Sequence, residues 1–239
     1  MDIYEANRFR DAVSGNSYPG RGIVVGNSGD GAKAVIAYFI MGRSDNSRNR
    51  VFSEKDGAVY TEPFDPSKVE DPSLIIYAAV RSFENKLIVT NGDQTDTVYE
   101  GYSQGKGFHE ALTSRCFEPD APNLTPRISA VVRFGSGAFD YSMSILKSAD
   151  RDGTACNRYG FDYAPIPGVG HFIHTYQCDG NPLPTFQGEP RRIQIPNDID
   201  EFTEEIWDSL DPDNKISLYV RYTDINSGEI ESRLINKNK

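Results

Sequence analysis

The chain has 239 residues, of which 38% are hydrophobic and 25% are charged, and its formal net charge at pH 7 is −10. This composition excludes a disordered chain and is typical of a globular protein with a sizeable core. The acidic balance argues against a nucleic-acid-binding surface, although a few clustered arginines can still bind a small anion.

The first elements of the chain predict a β-hairpin. Residues 1–17 are expected to form a short N-terminal extension, and Arg21 to Asn27 is predicted to be a strand. A turn rich in Gly, Asn and Asp follows. The return strand, Ala34 to Met41, is apolar on both faces and is therefore expected to be central in its sheet. Residues 18–239 are expected to form one domain.

Three arginines follow this hairpin directly. Arg43, Arg48 and Arg50 lie within eight residues of one another, in a segment that is otherwise rich in Ser and Asn. The segment is either a solvated basic loop or an anion clamp, because guanidinium groups match the geometry of phosphate oxygens.

A second hairpin is predicted from Leu74 to Val80 and from Lys86 to Thr90. Tyr77 lies in the middle of its first strand. On local grounds Tyr77 is an ordinary core tyrosine with a satisfied hydroxyl group.

The polar stretch from Asn91 to Thr97 comes next. Asn91-Gly92 favours a tight turn, and Thr97 with Glu100 predicts a capping box at the start of a helical region that runs to about Cys116. The N–H groups at a helix start suit an anion or a carbonyl oxygen, so this segment is either a plain connection or one wall of a binding site.

The remaining pattern alternates strands and turns, with one amphipathic helix from Asp198 to Leu210. The count is about ten strands and two helical regions, which predicts the α+β class with two mostly antiparallel sheets packed on each other and helices outside. The further predicted strands are Ile128–Phe134, Phe139–Leu146, Asn157–Tyr163, Gly170–Gln177, Arg191–Pro196, Ile216–Thr223 and Glu229–Asn236.

The sequence offers little for metal or nucleophile chemistry. His171 and His174 stand three residues apart on a predicted strand, so their rings point to opposite faces. The three cysteines include no CxxC pair, which argues against a zinc site or a disulfide framework. The chain begins without a signal-peptide pattern, and its longest apolar stretch is too short to cross a bilayer. We therefore expect a cytoplasmic protein without a metal, a membrane partner or a nucleic-acid partner.

What remains is a set of polar loops around Tyr77. Arginine, tyrosine and glutamate without a metal suit chemistry at an amide or formyl group, and they also suit simple nucleotide binding. Periodicity and spacing do not decide between these two. The residues concerned are Arg43, Arg48, Arg50, Tyr77, Asn91, Thr95, Asp96, Glu118 and Arg127.

Together these motifs resemble a known family. Asn91-Gly92-Asp93-Gln94-Thr95-Asp96-Thr97, followed about 28 residues later by Thr125-Pro126-Arg127-Ile128, is similar to the paired motifs of the stand-alone, archaeal-type IMP cyclohydrolases. The resemblance covers roughly residues 18–190. Further matching pieces are Tyr18-Pro19-Gly20-Arg21, Val25-Gly26, Arg43-Ser44, Asn49-Arg50, Tyr77, Phe117-Glu118 and Thr175-Tyr176.

The resemblance implies a fold and a reaction. The fold would be a four-layer αββα sandwich, similar to the N-terminal nucleophile hydrolases. The reaction would close the purine ring of 5-formamidoimidazole-4-carboxamide ribonucleotide to give IMP and water, without a cofactor. Assembly into a homo-oligomer stays open. Since the chain has no Ser, Thr or Cys at position 2, we expect neither autoprocessing nor an N-terminal nucleophile.

The resemblance also implies roles for individual residues. Tyr77 would donate a proton to the formyl oxygen, Arg50 would polarise that oxygen, and Glu118 would hold or deprotonate an amide N–H. Because the arginine loop is two residues longer than the family pattern, Arg48 is an alternative to Arg50. Candidates for binding the phosphate, the ribose and the carboxamide are Arg21, Arg43, Ser44, Asn91, Gly92, Thr95, Asp96 and Arg127.

Two other functions remain open at this point. One is a non-catalytic module that binds a purine nucleotide without turnover. The other is an amidohydrolase acting on a different C–N bond, which rests on analogy of fold alone.

Overall fold

The computed structural model describes residues 4–69 and 76–238. Within these ranges thirteen strands form two sheets, and every strand pairing is antiparallel. The strands are β1 (Arg21–Asn27), β2 (Lys33–Met41), β3 (Arg50–Lys55), β4 (Ala58–Pro63), β5 (Tyr77–Phe83), β6 (Lys86–Thr90), β7 (Arg127–Phe134), β8 (Phe139–Ser148), β9 (Cys156–Tyr163), β10 (Val169–His174), β11 (Arg191–Gln194), β12 (Lys215–Asp224) and β13 (Ile230–Asn236).

The first sheet has six strands in the order β11-β10-β1-β2-β12-β13, and the second has seven in the order β3 to β9. The helices are α1 (Phe9–Val13), α2 (Asp45–Arg48), α3 (Gln94–Ser103), α4 (Phe108–Ala111) and α5 (Ile199–Ser209). No helix in the described ranges is both long and apolar enough to span a membrane.

The layers follow from three apolar clusters. The largest lies between the two sheets and takes side chains from both. A second packs α1 and α5 on the outer face of the six-stranded sheet, and a third packs α3 and α4 on the outer face of the seven-stranded sheet. The order is therefore helices, sheet, sheet, helices, and the prediction of an α+β sandwich is confirmed.

Strand β2 shows why the sheets stack. Ile36, Tyr38 and Ile40 face the other sheet, while Val35 and Phe39 face the helices, and all five are buried. A strand covered on both faces needs apolar residues throughout, as its sequence predicted. The predicted helix near the C-terminus is also present as α5, whose N-cap residue Asp198 accepts the backbone N–H of Asp200 at 2.7 Å.

Two local predictions need correction. The helix after the polar turn begins at Gln94, inside the turn motif, so the capping box predicted at Thr97 is wrong. Asp93 takes the N-cap position, and its carboxylate pairs with Arg127 and Arg115 rather than with an N–H group of the helix. The arginine loop contains the short helix α2, which Ser44 caps by accepting the N–H of Ser47 at 3.2 Å.

Two further predictions concern the N-terminal extension and the start of the strand that contains Tyr77. In the predicted N-terminal extension, α1 packs against α5 and its Phe9 is fully buried. Leu74 and Ile75, which were predicted to begin the strand of Tyr77, lie outside the described residues.

Candidate active site

A cavity of about 250 Å³ lies where several strands of the two sheets begin or end. Arg21 opens β1, Met41 closes β2 and Arg50 opens β3, so the hairpin and the arginine loop deliver these residues to one place. The cavity is lined by Tyr18, Arg21, Met41, Arg43, Ser44, Asn46, Ser47, Arg50, Asp120, Asn123, Thr125, Tyr176 and Leu183.

The inner end of this cavity is charged and buried. Arg21, Arg50 and Glu118 are only 8%, 6% and 4% exposed, and Arg21 Nη2 lies 3.8 Å from Glu118 Oε2. Arg21 Nε, Arg50 Nε and Arg50 Nη1 are buried without a hydrogen-bond partner among residues 4–69 and 76–238. Since buried polar groups are normally paired, three unpaired donors at one place indicate a binding site for an oxygen-rich ligand.

Burial controls the protonation of these groups. It raises the pKa of Glu118 above the usual 4.5, because the attraction of Arg21 and Arg127 does not fully offset the loss of water. Burial and the charge of Arg21 together lower the pKa of Arg50. Burial also acts to lower the pKa of Arg21, but Glu118 and nearby tyrosines including Tyr77 raise it overall. Glu118 is thus a stronger base than an exposed glutamate.

Tyr77 lies beside these charges. It is 5% exposed, and its hydroxyl group is 2.9 Å from that of Tyr38. Tyr77 also interacts electrostatically with Arg21 and Arg50, so the three predicted catalytic residues Tyr77, Arg50 and Glu118 all lie near Arg21.

A closed loop holds Glu118 in place. The N–H of Glu118 donates to the carbonyl oxygen of Thr125 at 2.8 Å, and Asp120 accepts the N–H of Thr125 at 2.6 Å. Leu124 adopts a φ of 46° in the turn before Thr125. Neighbouring Asn123 accepts the N–H of Leu183 at 3.2 Å, which ties this turn to the segment after β10.

The cavity mouth is formed by the arginine loop. Arg43 pairs with Asp179, donates to the carbonyl oxygen of Gly180 at 2.9 Å and lies 4.9 Å from the centre of the Tyr18 ring. Arg48 points elsewhere, since it donates to the carbonyl oxygen of Gly42 at 3.2 Å and does not line the cavity. Of the two alternative arginines, the structure brings Arg50 to the site.

The polar turn lies behind Glu118. Asn91 is buried, donates to the carbonyl oxygen of Pro126 at 2.9 Å and accepts the N–H of Ile128 at 2.9 Å. Gly92 lies closest to the charged groups: a Cβ atom there would be 2.6 Å from Arg127 Nη1. Arg127 itself donates to Gln94 Oε1 at 2.7 Å.

The other two residues of the turn lie further from the cavity. The hydroxyl group of Thr95 is buried against that of Thr90 at 2.6 Å. Asp96 is on the exposed face of α3 and pairs with Arg81 at 2.7 Å. The structure therefore brings Arg21, Arg43, Ser44, Arg50, Tyr77 and Glu118 together, and does not bring Asp96 to them.

Several residues at the site were not among the predicted site residues, and Tyr176, Asp120 and Tyr38 are examples. Tyr176 contacts Thr125 hydroxyl to hydroxyl at 2.6 Å and stacks on Tyr18, and Asp120 lines the cavity. Tyr176 belongs to the Thr-Tyr pair that resembles the family, which was a usable signal. Tyr38 gave no signal, because a tyrosine in a central apolar strand looks like core.

Another cavity, of about 480 Å³, lies between α1 and α5. Four carboxylates outnumber two arginines in its lining, which disfavours an anionic ligand there. The charged lining residues are Arg8, Arg10, Glu201, Glu204, Glu205 and Asp208. In the described part of the chain no group of three His, Cys, Asp or Glu side chains could hold a metal ion.

Comparison with known proteins connects this cavity to a family. The model of a family described as IMP cyclohydrolase-like proteins matches residues 18–228 of the chain. The chain belongs to this family. The match includes every residue that lines the cavity.

Individual relatives of the chain are also named IMP cyclohydrolases. The chain is 29% identical over 183 residues to an IMP cyclohydrolase of Methanopyrus kandleri, a match that covers 71% of this chain and 89% of the relative. It is 34% identical over 119 residues to an IMP cyclohydrolase of Methanothrix thermoacetophila, covering 48% and 57%. A third, from Methanococcus aeolicus, is 26% identical over 166 residues, covering 67% and 75%.

Proposed function

We propose that the chain is an IMP cyclohydrolase that closes the purine ring of 5-formamidoimidazole-4-carboxamide ribonucleotide, releasing IMP and water. The observation that carries the proposal is the buried group of Arg21, Arg50 and Glu118, with three unpaired N–H donors beside Tyr77. An oxygen atom that gains negative charge is the ligand such donors suit.

The reaction needs a poor nucleophile to attack a carbonyl carbon. The carboxamide nitrogen forms a bond to the formyl carbon, and the formyl oxygen becomes an oxyanion. Holding both groups in contact supplies several kcal/mol of the barrier reduction, on the order of that seen for intramolecular reactions. Arg50 and Arg21 stabilise the oxyanion, which contributes about 3 kcal/mol per well-placed donor.

Proton transfers complete the step. Glu118 accepts a proton from the carboxamide nitrogen, and Tyr77 protonates the formyl oxygen. The protonated Glu118 then returns its proton to the new hydroxyl group, so that the C–O bond breaks and water leaves. The formamido nitrogen loses its proton to the Tyr77 oxygen, which restores both side chains and leaves the C=N bond of the purine. Because burial raises the pKa of Glu118, its carboxylate accepts the first proton more readily.

The same geometry supports roles in binding. Arg43, together with Ser44, lies at the mouth and suits the 5′-phosphate, since the Asp179 carboxylate it now contacts is partly exposed and exchangeable. Arg21 lies deeper, beside Glu118, and suits the base end of the substrate. Arg127 and Gly92 support Glu118 from behind, and Asn91 and Thr95 shape that wall. We place the reaction in the cytoplasm, which suits three free thiols.

The test is direct. The purified protein is mixed with the formylated ribonucleotide in the presence of EDTA, and ring closure is followed by absorbance and by chromatography of the product. We expect IMP to form at a rate proportional to enzyme concentration. Binding of the ribonucleotide, measured by calorimetry, without formation of IMP would replace the proposal with a nucleotide-binding module.

A further inference from the structure

Tyr38 and Tyr77 come from different sheets and meet in the interior. Tyr38 lies in the middle of β2, in the six-stranded sheet, and Tyr77 begins β5 in the seven-stranded sheet. Their hydroxyl oxygens are 2.9 Å apart, and Tyr38 is 0% exposed. The Tyr38 ring stacks on Phe52 at 5.4 Å, within the apolar cluster between the sheets. A hydroxyl group at this depth is costly unless it is paired.

The pairing has a preferred direction. Tyr77 is the only hydrogen-bond partner of the Tyr38 hydroxyl among residues 4–69 and 76–238. If Tyr77 donated to Tyr38, the proton of Tyr38 would be buried without an acceptor, which is the more expensive arrangement. Tyr38 therefore donates to Tyr77. This leaves the proton of Tyr77 free to point towards the cavity rather than into the core.

We propose that Tyr38 is a positioning residue, which donates to the Tyr77 oxygen, aims the Tyr77 proton at the ligand and stabilises the oxygen once that proton has left. This proposal rests on the proposed function, in which Tyr77 is the proton donor. During the reaction the Tyr77 O–H bond breaks and its proton passes to the formyl oxygen. The charge left on the Tyr77 oxygen is then held by the Tyr38 O–H and by the neighbouring guanidinium groups of Arg21 and Arg50.

Tyr38 keeps its own proton throughout. Burial and the neighbouring Tyr77 raise the pKa of Tyr38 well above 10, and the charges of Arg21 and Arg50 only partly oppose this. Tyr38 consequently stays a donor at every pH at which the enzyme works. The two hydroxyls then form a short chain, and hydrogen bonds in such a chain strengthen one another.

The experiment compares Tyr38→Phe with a matched control, Tyr219→Phe. Tyr219 stands directly opposite Tyr38 on β12 and is also buried, but its polar neighbours are Arg221, Glu54 and Ser232 rather than Tyr77. Both variants lose one buried hydroxyl and keep the ring. We expect Tyr38→Phe to lower kcat by about 10- to 100-fold, the effect of losing one hydrogen bond to a charged group. We expect KM to change by no more than about twofold, and kcat of Tyr219→Phe to stay near the parent value.

The pH profile separates positioning from packing. A tyrosinate at position 77 forms less readily without the Tyr38 donor, so the alkaline limb of kcat/KM should lie at higher pH in Tyr38→Phe than in the parent protein. The control should leave this limb in place. Equal losses of kcat in the two variants, or an alkaline limb that does not move, would overturn the proposal.

A readout without substrate keeps this test apart from the proposed function. The protein is labelled with ¹³C at the tyrosine Cζ position, and the Tyr77 signal is assigned by its absence from Tyr77→Phe. In Tyr38→Phe the ionisation of Tyr77 should then occur at higher pH than in the parent protein. If the parent forms no IMP, the reaction proposal fails while this titration still decides whether Tyr38 donates to Tyr77. An unchanged titration rejects the donor role.

Discussion

The cavity and the Asn91–Thr97 turn lie side by side, but they differ in whether their buried polar atoms have hydrogen-bond partners. In the turn, the Asn91 side chain bonds the backbone of Pro126 and Ile128, and the Thr95 hydroxyl bonds Thr90. In the cavity, Arg21 and Arg50 have buried N–H donors without a hydrogen-bond partner in the described part of the chain. The turn is therefore built to stabilise the fold, and the cavity is built to receive a ligand.

The difference has an energetic meaning. A satisfied buried network contributes to stability, and removing one member leaves its partners unpaired. A buried charge without a partner costs stability, and its replacement by an apolar side chain of similar volume is often neutral or favourable. Substitutions in the cavity should thus reduce activity with little cost to folding, and substitutions in the turn should do the reverse.

The largest effect is expected for Arg50→Met. Loss of the guanidinium group that stabilises the oxyanion should lower kcat by about 10²- to 10³-fold. Because burial already disfavours the charge of Arg50, the midpoint of urea unfolding should stay the same or rise. The assay is IMP formation, and circular dichroism in urea reports stability.

Arg48→Met is the matched control, since Arg48 lies two residues away, on α2, and points outside the cavity. Its kcat should stay within about twofold of the parent value, because the charge of an exposed residue is screened by water and salt and acts only weakly on the buried site. A large loss of kcat in Arg48→Met together with normal activity in Arg50→Met would reverse the assignment of the two arginines.

Glu118→Gln is expected to lower kcat by about 10²-fold, the contribution of a positioned general base. Since burial raises the pKa of Glu118 above 4.5, its base form is lost as pH falls towards that raised value. The acid limb of kcat/KM for the parent should therefore lie above pH 4.5 and should be absent from the variant. The measurement is kcat/KM as a function of pH from 4.5 upwards.

Stability gives an independent check on Glu118. A carboxyl group whose pKa is raised by folding binds its proton more tightly in the folded state. Its contribution to stability is then present below the unfolded pKa and is lost as pH rises through the folded pKa. The parent should lose stability with rising pH over this window, and Glu118→Gln should lack that part of the slope. Identical slopes would show that Glu118 is not buried as described.

The sheets were predictable from the sequence because buried apolar residues recur at the spacing of the strand or helix that carries them. β2 is apolar on both faces, and α5 carries its buried residues at helical spacing, so both stood out. The start of α3 was misplaced because the signal of Thr97 and Glu100 is local. At the true start, the carboxylate of the N-cap residue Asp93 pairs with Arg127, a contact over more than thirty residues that no local pattern shows.

The site was predictable only in part. Motif resemblance predicted roles for Arg50, Tyr77 and Glu118, and the fold places all three near Arg21. It could not reveal Tyr38, because the role of that hydroxyl depends on a contact between two sheets. Nor could it separate Asp96, which faces solvent, from its neighbour Thr95, which is buried.

The smallest expected effect on activity concerns the turn and distinguishes Asn91 from Asp96. Asn91→Ala should lower the free energy of unfolding by about 2 kcal/mol, because it leaves the Ile128 N–H and the Pro126 carbonyl oxygen without their partner. Its kcat should fall by less than about tenfold. Asp96→Asn, the control on the same turn, removes only an exposed pair with Arg81 and should change stability by about 0.5 kcal/mol or less. Urea unfolding of both variants measures this contrast. If Asp96→Asn lost activity while Asn91→Ala stayed stable, the exposed face of α3 would belong to the binding site and the division between turn and cavity would fail.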